Sequence, residues 1–150
     1  MDAASGRHLI IEYHGCDPAV LDDAVAIERI LRAAASAARA NVVAAVVHPF
    51  SPNGGVTAVL VLEESHLSIH TWPERGYAAV DFFTAGAPDP ELAHEVLRDE
   101  LAPTHSERLL LRRGGRLLLR RVPDVAACED PPSEARRSEY PAPRGGAGTK

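Results

Sequence analysis

Residues 57–86, TAVLVLEESHLSIHTWPERGYAAVDFFTAG, hold three runs of β-forming residues separated by turn formers. "TAVLVLEE" reads as a strand, and "HLSIHTW" alternates as a second. "PERG" supplies a turn, and "YAAVDFFTA" completes a meander. Upstream, "RHLIIEYHG" (Arg7 to Gly15) reads as another strand ending in glycine. Asp17 and Pro18 then give an N-cap and first-turn proline to a helix running to about Ala40. Its apolar residues Leu21, Val25, Ile27, Ile30, Leu31 and Ala34 recur at steps of three and four, which predicts one buried face. Asp22, Asp23, Glu28, Arg29, Arg32 and Arg39 are expected to face water. "NVVAAVVHPF" reads as a buried strand and "SPNGGV" (Ser51 to Val56) as a turn.

Downstream, "GAPDP" leads into "ELAHEVLRDEL", a short amphipathic helix with Asp89 and Pro90 as its start signal. A hairpin is predicted from Glu107 to Val122, where Arg112, Arg113, Arg116, Arg120 and Arg121 flank apolar runs on either side of a Gly-Gly turn. These arginines read as a solvated hairpin surface. The order of elements predicts an α+β, two-layer sandwich: an antiparallel sheet with helices on one face. The domain is expected to span 1–123, leaving 124–150, rich in Pro, Glu, Arg, Ser and Gly, as a disordered tail.

With 150 residues, the chain has room for one core. A net charge of −5 and a pI near 5.8 do not suit a nucleic-acid binder. Apolar runs are too short for a membrane span, and "MDAASG" has neither the basic start nor the apolar core of a secretory signal, so the cytoplasm is the expected location. A reducing compartment leaves Cys16 and Cys128 as unlinked thiols.

Glu63, Glu64, Ser65, His66, Ser68, His70, Trp72 and Glu74 fall within twelve positions. A metal site on His66 and His70 is disfavoured, because four strand residues span about 13 Å. A nucleophilic Ser65 or Ser68 with His70 as base lacks a Gly-x-Ser-x-Gly elbow. A plain same-face row of Ser68, His70 and Trp72 on a half-buried strand is the third reading.

The run "ESHLSIHTWPERGYAAVDFFTAG" closely resembles the self-processing segment of the prokaryotic S-adenosylmethionine decarboxylases, usually E-S-H-[LI]-S-I-H-T-W-P-E-x-G-Y-A-A-V-D-x-F-T-C-G. "GRHLIIEYHGCDPAVLDD" and "HPFSPNGGVTAVLVLEES" extend the similarity over roughly residues 5–102. The resemblance implies a proenzyme that cuts itself between Glu64 and Ser65 into chains 1–64 and 65–150. Ser65 would attack the preceding carbonyl, and after elimination, with His70 as processing base and Thr57 as helper, become a pyruvoyl group. Such a covalent cofactor forms a Schiff base with a substrate amine and accepts the electrons released with CO₂, so no separate cofactor and no metal is expected. The implied substrate is S-adenosylmethionine, for polyamine synthesis. Phe50 and Trp72 would suit its adenine and sulfonium, with Glu74 beside them and Ser68 among the catalytic groups. A homodimer of processed protomers, with sites near the interface, is also implied.

Two departures stand out. The pattern's Thr-Cys-Gly is Thr84-Ala85-Gly86 here, and a methyl group cannot act as the family's proton donor. An extra glycine lengthens "SPNGGVT". Cys16 reads as a small buried thiol rather than a relocated donor. His70, Ser68 or water could supply the proton instead. The same chemistry on arginine or ornithine is an alternative, with Glu12, Glu63, Glu74 and Asp81 as candidates for an acidic pocket. A non-catalytic homologue is a third possibility.

Overall fold

The computed structural model describes residues 5–52, 54–63, 65–115 and 118–122. Seven strands, β1 (Gly6–His14), β2 (Val42–Pro49), β3 (Val56–Leu62), β4 (Ser65–Trp72), β5 (Tyr77–Ala85), β6 (His105–Arg113) and β7 (Leu118–Val122), form one sheet. Its order is β2-β3-β4-β5-β1-β6-β7, and every neighbouring pair is antiparallel. The predicted meander is β3-β4-β5. Its second turn is a 3-10 turn at Pro73–Arg75, closed by left-handed Gly76. The first strand in sequence lies between β5 and β6, so the sheet's centre is built from both ends of the chain.

One face of this sheet is apolar. Leu9, Ile11 and Tyr13 of β1, Ala58 and Leu60 of β3, Leu67 and Ile69 of β4, and Val80 and Phe82 of β5 are buried. They share a core with Ile27, Ile30, Leu31 and Ala34 of one helix, α2 (Ala24–Ala37), and Ala93, Leu97 and Leu101 of another, α3 (Pro90–Leu101). This is the expected two-layer arrangement. Register places the remaining strand residues in transverse rows on the other face: Glu107–Glu12–Ala79–His70–Thr57–His48 and Leu111–His8–Phe83–His66–Val61–Ala44 are two of them. Six of the chain's seven histidines belong to this helix-free face; the seventh, His94, bonds Tyr13 Oη inside the core at 2.7 Å.

Three expectations need correction. The predicted single helix from Asp17 is two: α1 (Pro18–Leu21) and α2, separated at Asp22 and Asp23. Asp23 caps α2 by accepting from the Val25 and Ala26 amides at 2.9 and 3.0 Å, while Asp22 Oδ1 accepts from Gly55 N at 2.7 Å. Two adjacent aspartates with separate partners interrupt the helix. Val25, now in the first turn of α2, is 80% exposed rather than buried. β2 is an edge strand, and Val43 and Val46 are more than 60% exposed, because Val46 lies opposite Val59 on the face that no helix covers and Val43 sits at a break in register. The hairpin forms as expected, though β6 begins at His105, and Arg108 turns to the helix side to pair with Glu91 at 2.6 Å. The predicted tail, 124–150, lies outside the described residues. No described helix is long and apolar enough to cross a membrane.

Thr71 ties the layers together. Its buried hydroxyl donates to the Leu21 carbonyl and accepts from the Val56 amide, both at 2.7 Å. Thr71→Val keeps the shape but leaves both backbone groups unpaired, so it should cost about 1–3 kcal/mol in urea unfolding, whereas Thr71→Ser should recover most of it.

Candidate active site

Two side-chain clusters lie on the helix-free face, at opposite ends of β4. The first lines a cleft of about 420 Å³ that includes Phe50, Thr57, His70, Trp72 and Glu74. His70 Nδ1 and Thr57 Oγ1 share a hydrogen bond of 2.8 Å across the β3–β4 pair, which fixes the imidazole plane. Trp72 stacks on Tyr77 with centroids 5.0 Å apart, and the Tyr77 hydroxyl donates to the Glu12 carboxylate. His48 contacts Phe50 edge-on at 5.0 Å. The glycine turn makes one wall: Gly55 has φ +94, and a Cβ there would lie 2.6 Å from the Thr71 carbonyl. The additional glycine therefore sits where the backbone runs too close to β4 for any side chain.

The second cluster surrounds Ser65, the first residue of β4. Its Oγ is 3.5 Å from Nδ1 of His66. The half-buried His66 ring packs against His8 and Phe83, with centroids at 6.3 and 6.0 Å, and those two rings also touch each other at 5.6 Å. His8 Nε2 is bonded to Asp81 Oδ1 at 3.0 Å, and the Arg113 guanidinium covers Phe83 at 4.8 Å. Burial, then the neighbouring His8, pushes the His66 pKa below the ordinary histidine value; Asp81 pulls the other way and Arg113 adds to the lowering.

Five of the residues singled out from sequence thus meet in one cleft, but Ser65 is not among them. Ser65 and His70 are five strand steps apart, about 16 Å. Ser68 lies midway, opposite Asp81 and Val59. Glu64 falls outside the described residues. Ala85 pairs with Gly6 at the Ser65 end, whereas buried Cys16 bonds Gly76 at the far end, so it does not occupy the place of a donor at 85. The four carboxylates considered for an acidic pocket do not converge: Glu63 is bonded to Asn41, Glu12 to Tyr77 and Asp81 to His8, while Glu74 borders the cleft. Sequence reasoning missed the contact of His66 with Ser65 and the supporting His8, although adjacency in "ESH" was the available signal.

The family model described as S-adenosylmethionine decarboxylase matches residues 7–114. The chain belongs to that family. A relative from Parasynechococcus marenigrum, "S-adenosylmethionine decarboxylase proenzyme", is 50% identical over 109 residues, covering 71% of this chain and 84% of its own. One of the same description from Methanococcus aeolicus is 46% identical over 110 residues, covering 73% and 93%. A crystal structure of the adenosylmethionine decarboxylase from Aquifex aeolicus is similar with a TM-score of 0.67 at 29% identity, over 83% of this chain and 97% of that one. Membership makes this chain a decarboxylase of the pyruvoyl-dependent type.

Burial drives the Cys16 thiol up to about 11, so almost no thiolate exists at neutral pH. Iodoacetamide should leave Cys16 unmodified in the native protein and label it fully after unfolding, as read by peptide mass.

Proposed function

We propose that this family member is a self-processing decarboxylase of S-adenosylmethionine, cut between Glu64 and Ser65, with a pyruvoyl group made from Ser65. The observation that carries the proposal is the position of Ser65: it opens β4 directly after the β3–β4 connection, where a break leaves both strands paired. Ser65 Oγ attacks the preceding carbonyl to give an ester. Loss of the Ser65 α-proton expels the carboxylate of Glu64, and hydrolysis of the resulting dehydroalanine releases ammonia and leaves the new carbonyl. That carbonyl supplies an electrophile for the substrate amine and a sink for the electrons released with CO₂. The residues present fit the group at Ser65; at position 85 they supply no proton, since alanine has none to give.

Phe50 and Trp72 offer aromatic faces for adenine and sulfonium, Glu74 a carboxylate beside them, and the Thr57–His70 pair a fixed imidazole for the α-proton. His70 cannot reach Ser65 of its own chain across about 16 Å of strand. A second copy packed face to face, with its two-fold axis running across the strands near Ser68, brings the partner's cleft over Ser65. A homodimer of processed protomers is therefore part of the proposal, and it covers Val46 and Val61 on the helix-free face. Arginine or ornithine as substrate is favoured only by the missing cysteine; the dispersed carboxylates weigh against it.

Intact mass decides the central step. Two fragments split after Glu64, the larger with a pyruvoyl terminus, are expected, and one stable 16.0 kDa chain would refute the proposal. Ser65→Ala should abolish cleavage and activity together. CO₂ release should be greatest from S-adenosylmethionine when compared with arginine and ornithine, and Ala85→Cys should raise that turnover about tenfold or more, within the usual range for a positioned proton donor.

A further inference from the structure

His66 is the one imidazole within reach of Ser65 among the described residues, and nothing above uses it. We propose that His66 is the base for the first step of chain cleavage, taking the Ser65 hydroxyl proton and returning it to the departing amide nitrogen, with His8 and Asp81 positioning its ring. The inference rests on the self-cleavage reading and assigns a residue within it.

In that step Nδ1 of His66 accepts the proton as Oγ bonds to the carbonyl carbon of residue 64, giving a tetrahedral oxyanion. The C–N bond then breaks, the nitrogen takes the proton from the imidazolium, and an ester with a free amine remains. No atom is gained or lost, and His66 ends neutral.

Three features suit it to this work. It lies 3.5 Å from the reacting oxygen without any contribution from another chain. Its ring packs against the contacting pair His8 and Phe83, and His8 is itself fixed by Asp81 at 3.0 Å. The groups facing it are His8 from β1, Asp81 and Phe83 from β5, Arg113 from β6 and uncharged Val61 from β3. Burial, His8 and Arg113 outweigh Asp81, so the ring stays neutral, and able to accept a proton, to lower pH than an ordinary histidine. His70, by contrast, is suited to the later α-proton step, from a partner copy.

Full-length chains made by cell-free synthesis, followed from release, separate the two steps, because hydroxylamine cuts the ester but not the amide. His66→Ala and His66→Gln should form ester about 100-fold or more slowly, and added imidazole should restore His66→Ala. His70→Ala should accumulate hydroxylamine-sensitive ester at the normal rate. The wild-type rate should fall with acid through a midpoint below the usual histidine value, and His8→Gln should move that midpoint upward. Circular dichroism checks folding, and His66→Gln decides should His66→Ala not fold. Ester formation at the wild-type rate in either folded variant overturns the assignment, as does slow formation that imidazole does not restore. A wild-type chain that is never cut overturns the self-cleavage reading itself.

Discussion

The register of β4 is the constraint on which the rest depends. Side chains alternate with a period of two, so a slip of one residue would send His66, Ser68, His70 and Trp72 into the helix layer and expel Leu67, Ile69 and Thr71. Both neighbours hold the strand in place: β3 from Thr57↔His70 to Leu62↔Ser65, and β5 from Trp72↔Tyr77 to Ser65↔Thr84. Burial of Leu67 and Ile69 supplies most of the preference, and the Thr71 hydroxyl adds a directional lock by linking α1 to β3. His66, Ser68, His70 and Trp72 then stand on the face that no helix covers, while Ser65, at the start of the strand, has the parity of Leu67 and lies in a row with Leu62 and Thr84.

That face carries latent charge. His8 and His66 lie 6.3 Å apart, and His14 stacks on His105 at 5.9 Å. Burial and the neighbouring His8 favour the neutral form of His66, which suits proton transfer. Asp81, bonded to His8, is the carboxylate that orders one such pair, and the Thr57 hydroxyl orders His70 from the adjacent strand.

Much of the fold was legible because its strands alternate strictly. "YAAVDFFTA" became β5 residue for residue, and "PERG" became the tight turn ending in left-handed Gly76. The misreading of β2 has a physical cause: valine-rich composition reports a preference for extended backbone but not how many neighbours the strand will have. The helix break was present as a second cap signal at Asp23, hidden by unbroken apolar spacing on either side. At the site, the motif pointed to five residues that line one cleft, but not to the distance between that cleft and Ser65. The spacing that argued against one metal ion on His66 and His70 also places Ser65 out of reach of His70, while the ring next to Ser65 was weighed only as a metal ligand.

The cut proposed after residue 64 would leave two chains that must not come apart, and the topology supplies a reason why they would hold. Residues before the cut supply β1, both early helices, β2 and β3; residues after it supply β4, β5, α3, β6 and β7. Sheet order interleaves the two sets, because β1 is paired with β5 on one side and β6 on the other, while β3 is paired with β4. Dissociation would therefore break three strand ladders and expose Leu9, Ile11 and Tyr13, which are no more than 1% accessible, together with their partners in the core. At about 25 cal/mol per Å² of apolar surface, exposing even these three side chains costs several kcal/mol before any hydrogen bond is counted. The connection after Glu63 can thus be broken with little loss of packing, because it joins strands that the rest of the sheet already holds together.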